Sequence, residues 1–494
     1  MKKSIFIFTL LIFSFFNASY EYIVIPFKNL NSKLPKSYNF NSITGEQFLE
    51  FSTNKLVSSI SLGTPYKSLE LYLTMDYRLF FIGKGYCYKD AKSFYEPMKS
   101  DSYIDSDKLY PNPFNDLRNM AVGKEKCTLF SDYNLKTNMT LDKLQLYYGS
   151  KAEYSENIYD KEKICGIMGF KFHLPQSYND KFVGLETVLK MSGVDNSSYW
   201  NIEFFDENQK KKHNNFDGYI ILGSGDYKYL KDIKNITEDD IQHTYSSYAL
   251  GSLEWTVNFQ PIYFYYSQDN KTTMDFDYSN IAFNFDIKYY FATKQYFDLI
   301  KKYFFNEYIS KGICKINSLN EFYLKYKYIT CDKKNFNEEK KKFPTLYMKS
   351  SAFNNTFELT YEDLFMEVNN DKILFLMFYD PWSPTTFKFG QNFMIKYDFI
   401  FRVDEKDIGF INYAIKENPN DGGKKPENTD NKKRNIIWIV VLSVLLAGII
   451  IGIFVGKKIW DNKRKKRANE LTDDDYEYDA KKETINPDNA INEN

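Results

Sequence analysis

The chain has 494 residues, 43% of them apolar and 26% charged, and its 65 basic and 65 acidic side chains cancel to a formal net charge of zero. That apolar fraction is enough for sizeable cores and excludes a disordered chain, and the balanced charge leaves no basic domain for nucleic acid. His173, His213 and His243 lie far apart in sequence, which argues against a Ser-His-Asp relay or a zinc site, so neither a metal nor a cofactor is expected.

Residues 1–19 read as a signal peptide: Lys2 and Lys3 precede an apolar run from Ile5 to Phe16, and Asn17-Ala18-Ser19 follow. The run is too short to span a bilayer and leads into small residues, as export signals do. Residues 20–50 form an N-terminal segment. From there to residue 413 short β-type runs with turn signals dominate, among them Leu56–Gly63, Leu69–Met75, Leu141–Gly149, Gly218–Gly225 and Trp255–Phe264. Alternating apolar and polar residues bounded by Gly or Asp argue half-buried strands. Thr293–Tyr308 instead carries apolar residues at helical spacing. The expectation is a mostly antiparallel β protein of two lobes.

Residues 414–435 are polar, Pro- and Gly-bearing and without apolar periodicity, which reads as a flexible stalk. Residues 436–456 follow as a transmembrane helix, their run IIWIVVLSVLLAGIIIGIFV free of charge. At 1.5 Å rise per residue, about 20 residues cover a hydrocarbon core of roughly 30 Å. Seven Lys and Arg between Lys457 and Arg467 outweigh Lys432, Lys433 and Arg434, so residues 457–494 read as a cytoplasmic tail. The result is a single-pass type I protein, its ectodomain outside the cell or in the lumen of the secretory or endolysosomal system. Its helix meets membrane lipid and its basic cluster meets anionic headgroups.

Five cysteines, Cys87, Cys127, Cys165, Cys314 and Cys331, all fall in the ectodomain, and an oxidising compartment favours two bridges and a leftover thiol. Sequons at Asn138, Asn196, Asn235, Asn270 and Asn354 are candidate glycosylation sites.

A set of ordered motifs then appears. Ile60–Gly83 (ISLGTPYKSLELYLTMDYRLFFIG) resembles the opening of a pepsin-like aspartyl protease, with Gly63-Thr64-Pro65 and Leu79-Phe80-Phe81-Ile82 matching its flanks. Tyr95–Tyr103, Cys165–Phe170 and Gly218–Asp226 are similar to further first-lobe segments of that family. Glu254–Phe264, Phe343–Met348 and Phe387–Phe410 are similar to second-lobe segments, so the resemblance runs in order from residue 50 to 413. It implies an all-β, bilobal pepsin-like acid protease fold with an N-terminal lobe at 51–235 and a C-terminal lobe at 236–413. It also implies a second-lobe disulfide Cys314–Cys331, a first-lobe bridge Cys87–Cys127, and Cys165 as a small buried thiol.

The family's chemistry needs two carboxylates that share one proton, one acting as base while the other acts as acid. Aligned without gaps, the two catalytic positions fall on Thr74 and Asn284, neither of which can titrate near a working pH. The resemblance therefore implies an inactive protease whose cleft holds a peptide or protein partner. The loop glycines become Asp76 and Asp286, and the flap places Phe130 where the family has tyrosine, with Asp132 and Tyr133 at the tip. One alternative remains open: a two-residue slip keeps side chains on the same strand face, so Asp76 and Asp286 could form the pair of an active aspartic endopeptidase.

Overall fold

The computed structural model describes residues 22–31, 38–40, 42–75, 95–112, 115–149, 164, 166–170, 198–224, 227, 229–246, 254–259, 262–265, 271–274, 280–321, 324–350, 353, 355–368, 371–381, 385–402 and 405–412. These are largely β-sheet with few helices, as the alternating sequence pattern leads one to expect.

The largest sheet is built around the N-terminal strand Tyr22–Asn29, which pairs antiparallel with Gly218–Ser224 on one side and with Leu56–Leu62 and Asn115–Phe130 on the other. Beyond Gly218–Ser224 lie Ser198–Phe204 and then the last strands of the ectodomain, Phe399–Arg402 and Asp407–Ile411, with Ile241–Tyr245 at the edge. The strands at 241–245, 399–402 and 407–411 thus join the first-lobe sheet, although the sequence boundaries place them in the second lobe. Two further sheets are formed by residues 255–389. One runs Trp255–Asn258, Asn280–Phe283, Thr386–Phe389, Tyr290–Ala292, Lys372–Tyr379, Leu324–Asp332 and Cys314–Glu321. The other contains Lys271–Met274, Ile262–Tyr265, Thr345–Ser350 and Asn355–Leu359. The run expected as one strand, Trp255–Phe264, is therefore two strands in two sheets. The sequence places Pro261 between them, a residue with no N–H to give a ladder.

Strand alternation gives the large sheet two faces with separate cores. Ile23, Ile25, Phe27, Trp200, Ile220 and Leu222 belong to the main core, which continues into the second lobe. Their neighbours Val24, Tyr199, Tyr219 and Ile221 point to the other face, where Tyr227 and Tyr229 complete a smaller aromatic cluster. Trp200, fully buried, is where the lobes meet: its ring stacks on Phe401 at 4.1 Å and meets Trp255 edge-on at 6.2 Å.

Gly45–Ser52 is a short helix fixed by a capping box, in which Thr44 and Gln47 each take the other's backbone N–H. Its Phe48 and Phe51 lie three apart on one face and bury against Tyr328, Phe378 and Tyr289 of the second lobe. The expected helix at 293–308 runs Lys294–Ser310 with a π-helical stretch Lys301–Phe305, capped by the Thr293 hydroxyl. Tyr296, Phe297, Ile300, Phe304 and Phe305 form its buried stripe.

Cys314 and Cys331 face each other across the hairpin of Cys314–Glu321 and Leu324–Asp332 and form a disulfide. Replacing both by serine is expected to lower stability by roughly 2 kcal/mol in urea unfolding, at the low end for a bridge because the hairpin turn already closes the loop. An unchanged midpoint would show that the hairpin holds itself. The Cys87–Cys127 bridge is not formed: Cys127 is a free, fully buried thiol on an inward position of Asn115–Phe130, and burial pushes its pKa well up. Cys87 and Cys165 lie outside the described residues, as do residues 1–19, 414–435, 436–456 and 457–494. Among the described residues no helix is long and apolar enough to cross a membrane. Of the sequons, Asn138 is exposed at a strand start and Asn235 caps a helical turn, while Asn196, Asn270 and Asn354 lie outside the described residues.

Candidate functional site

The same local device occurs twice. Lys67–Thr74 pairs in parallel with Ile167–Gly169, with Thr74 opposite Gly169, and the Phe170 N–H returns to the Thr74 carbonyl at 2.9 Å. Asn280–Phe283 pairs in parallel with Thr386–Phe389, and the Asn284 N–H reaches the Phe389 carbonyl at 3.0 Å. Each pair ends in a glycine, Gly169 or Gly390. At Gly390 a side chain would meet the Ile287 carbonyl at 2.3 Å, so only glycine lets the helix Gln391–Lys396 begin against that loop. Parallel pairing buries both ladders and delivers Thr74 and Asn284 to the ends of buried strands.

The two loops touch through Asp286. Its Oδ2 accepts the Thr74 hydroxyl at 2.7 Å and the Met75 N–H at 2.8 Å. Thr74 is only 3% exposed. Asn284 turns its own side chain onto the loop: Oδ1 accepts the Asp286 N–H at 2.8 Å, an Asx turn that orients the aspartate. Thr74 and Asn284 thus stand on facing loops, and among the described residues the side chain that crosses between them is Asp286. Asp76 lies outside the described residues, so the Asp76/Asp286 alternative has only one of its partners placed.

An amide relay ties the loop further to the N-terminal segment. Asn54 Nδ2 donates to the Phe285 carbonyl at 2.7 Å, its N–H to the Asp286 carbonyl at 2.7 Å, and its Oδ1 accepts from Asn29 Nδ2 at 2.7 Å. Ser52 accepts the Lys288 N–H at 2.8 Å, and Thr53 bridges Ile287. Nothing in the composition around Asn29 and Asn54 singles them out, because their role depends on register between segments far apart in sequence. Lys288 is 9% exposed, and its ammonium donates to the Asn31 carbonyl at 2.6 Å. Burial pushes its pKa down to about 8, against the opposing pull of the Glu50 carboxylate.

The residues read as a flap are elsewhere. Phe130 ends its strand opposite Val24 and Asn138, and the 131–137 turn packs Tyr133 against Tyr219, Tyr229 and His213. That is the second cluster, on the face of the large sheet opposite Met75, so Phe130, Asp132 and Tyr133 are not placed over Thr74. The Tyr133 hydroxyl instead donates to Glu203 at 3.0 Å, and Glu203 pairs with Lys234, which also pairs with Asp398. Asp132 organises the turn. Burial alone would raise its pKa, but the N–H groups of Thr137 and Asn134 outweigh that and hold the carboxyl below its ordinary range. His213 lies in this aromatic cluster and His243 beside Asp407, so neither serves Thr74 as a base.

No family model and no curated protein matches the chain. Among solved structures it is similar to the crystal structure of conglutin gamma, a unique basic 7S globulin from lupine seeds, with a TM-score of 0.53 at 10% identity. The match covers 80% of this chain and 96% of that one, and at this identity it shows a shared fold alone.

Proposed function

We propose that this chain is a non-catalytic, membrane-anchored relative of the pepsin-like aspartyl proteases that binds a peptide or protein partner without cutting it. The motif order from residue 50 to 413, the β architecture and the two matching strand–loop devices support the relationship. The observation that carries the reading is the state of the Asp286 carboxylate. It accepts the Thr74 hydroxyl and the Met75 N–H, so the residue it meets at the aligned catalytic position is a threonine and not the carboxyl group of a proton-sharing dyad. Thr74 and Asn284 supply neither an acid nor a base. An extended peptide can still be held in such a fold by backbone hydrogen bonds and apolar pockets, which need no titrating group. Anchoring through residues 436–456 and export by residues 1–19 place this binding outside the cytoplasm.

A second reading is favoured by one observation: Asp286 does reach the facing loop, as one member of a slipped Asp76/Asp286 pair would. The full chain, purified in detergent and offered a mixed peptide pool from about pH 3 to 7, separates the two. No pepstatin-sensitive cleavage is expected, with Asp286→Asn indistinguishable from the parent. Acid cleavage that disappears in Asp286→Asn would overturn the pseudoprotease and establish the slipped pair.

A further inference from the structure

Among the described residues Lys288 is a buried cation with no ion-pair partner, and Glu50 acts on it only from beyond ion-pair distance. Its Nζ has a neutral carbonyl, that of Asn31, as hydrogen-bond partner, and among the described residues no carboxylate stands within ion-pair distance of it. An ammonium out of water with one neutral acceptor is costly, and such groups ordinarily meet a carboxylate or a bound anion. Lys288 also lines a cavity of about 200 Å³ between the lobes. Lys210 and Asp217 line it from the first-lobe side, and Gln391 and Asn392 from the second. The lining carboxylate, Asp217, is already paired with Lys210 at 2.9 Å, and Lys210 also meets Glu207 at 2.8 Å, so Asp217 does not answer the charge of Lys288.

We propose that this inter-lobe cavity is a binding site for a small carboxylate, whose charge completes the surroundings of Lys288. Lys210 is paired with carboxylates, so Lys288 is the one lining cation among the described residues with no ion pair, a single charge that suits a monoanion and disfavours a dianion such as phosphate. The amide groups of Gln391 and Asn392 are donors able to fix the carboxylate oxygens. The volume corresponds to roughly six waters at about 30 Å³ each, room for an acid of acetate to lactate size. Binding here is independent of whether the Thr74–Asp286 centre cuts peptides.

Binding also carries a proton signature. Lys288 is about half protonated near pH 8 in the empty protein, and an adjacent anion favours its charged form, so binding takes up a fraction of a proton. Titration calorimetry of the full chain at pH 8, in two buffers of different ionisation enthalpy, reads both affinity and proton uptake. Sodium acetate, sodium phosphate and sodium chloride are the probes. Acetate is expected to saturate one site with proton uptake. Lys288→Met should weaken it by about tenfold or more and abolish the uptake. Asn392→Leu, which leaves the charge in place, should weaken acetate while keeping the uptake, and it serves as the test if Lys288→Met does not fold. Acetate binding no tighter than chloride, phosphate binding tighter than acetate, or acetate affinity unchanged in both variants would each overturn the assignment.

Discussion

Trp200→Ala is expected to destabilise the chain by about 3–5 kcal/mol, the cost of removing a large buried aromatic and leaving a cavity that rigid surroundings cannot fill. Trp200 is fully buried between two lobes, with Phe170, Trp255, Phe285 and Phe401 packed around its ring. Relaxation is restricted because each neighbour belongs to a different segment: Phe401 ends the chain's return to the first sheet, Phe285 lies in the site loop, and the Trp255 indole N–H donates to the Phe170 carbonyl at 3.0 Å. Urea unfolding of the two proteins measures the effect. A double-mutant cycle with Phe401→Ala should give a coupling of roughly 1 kcal/mol for the stacked pair. A loss below about 1 kcal/mol for Trp200→Ala would mean that the lobes are not joined through this ring.

Lys288→Met is expected to stabilise the protein at neutral pH, with a gain that fades in alkali. The folded state holds the Lys288 pKa at about 8 against an ordinary 10.5. Below pH 8 both folded and unfolded chains carry the proton, and the folded chain bears the full cost of a buried charge, on the order of 3 kcal/mol. Between pH 8 and 10.5 the unfolded chain binds more protons than the folded one, so stability rises with pH through that window. Above it both forms are neutral and the cost is gone. Methionine keeps the stem packing but forfeits the hydrogen bond to the Asn31 carbonyl, which offsets about 1 kcal/mol of the gain. Unfolding midpoints of parent and variant from pH 7 to 10.5 should therefore converge as pH rises. Parallel curves would show that Lys288 is charged and compensated throughout, and saturating acetate should shrink the gap at pH 7 if the cavity takes a carboxylate.

Much of this organisation is legible in the sequence because it rests on local patterns. Alternation gave the strands at Leu56–Leu62, Lys67–Thr74 and Gly218–Ser224 to within a residue or two, and helical spacing of aromatics placed the helix after Thr293. The hairpin cysteines Cys314 and Cys331 pair as the family resemblance implies. Thr74 and Asn284 could be singled out because a motif of fixed order carried them, and their loops do face each other. Cys127 misled for a physical reason: a cysteine inside a strand can point into a core as a small apolar group, and sequence distance says nothing about whether a second sulfur is near. The packing of the segment read as a flap was equally beyond the sequence. Counting residues back along a strand gives a position but not which face of a sheet the following turn covers, and the turn at 131–137 folds onto the Tyr219 and Tyr229 side.

By itself, then, the sequence determined which stretches form most of the strands and that the aligned positions Thr74 and Asn284 carry no carboxylate, since periodicity and residue chemistry are properties of neighbouring residues. Only the tertiary structure decided that Tyr22–Asn29 lies at the middle of the largest sheet and that Phe399–Arg402 returns to it beside Trp200. It alone brought Asp286 onto Thr74, ran the Asn29–Asn54 relay to the Phe285 carbonyl, and buried Lys288 against Asn31. Those contacts join residues separated by up to 257 positions, and a hydrogen bond at that separation is fixed by sheet register and lobe packing, which no local pattern encodes.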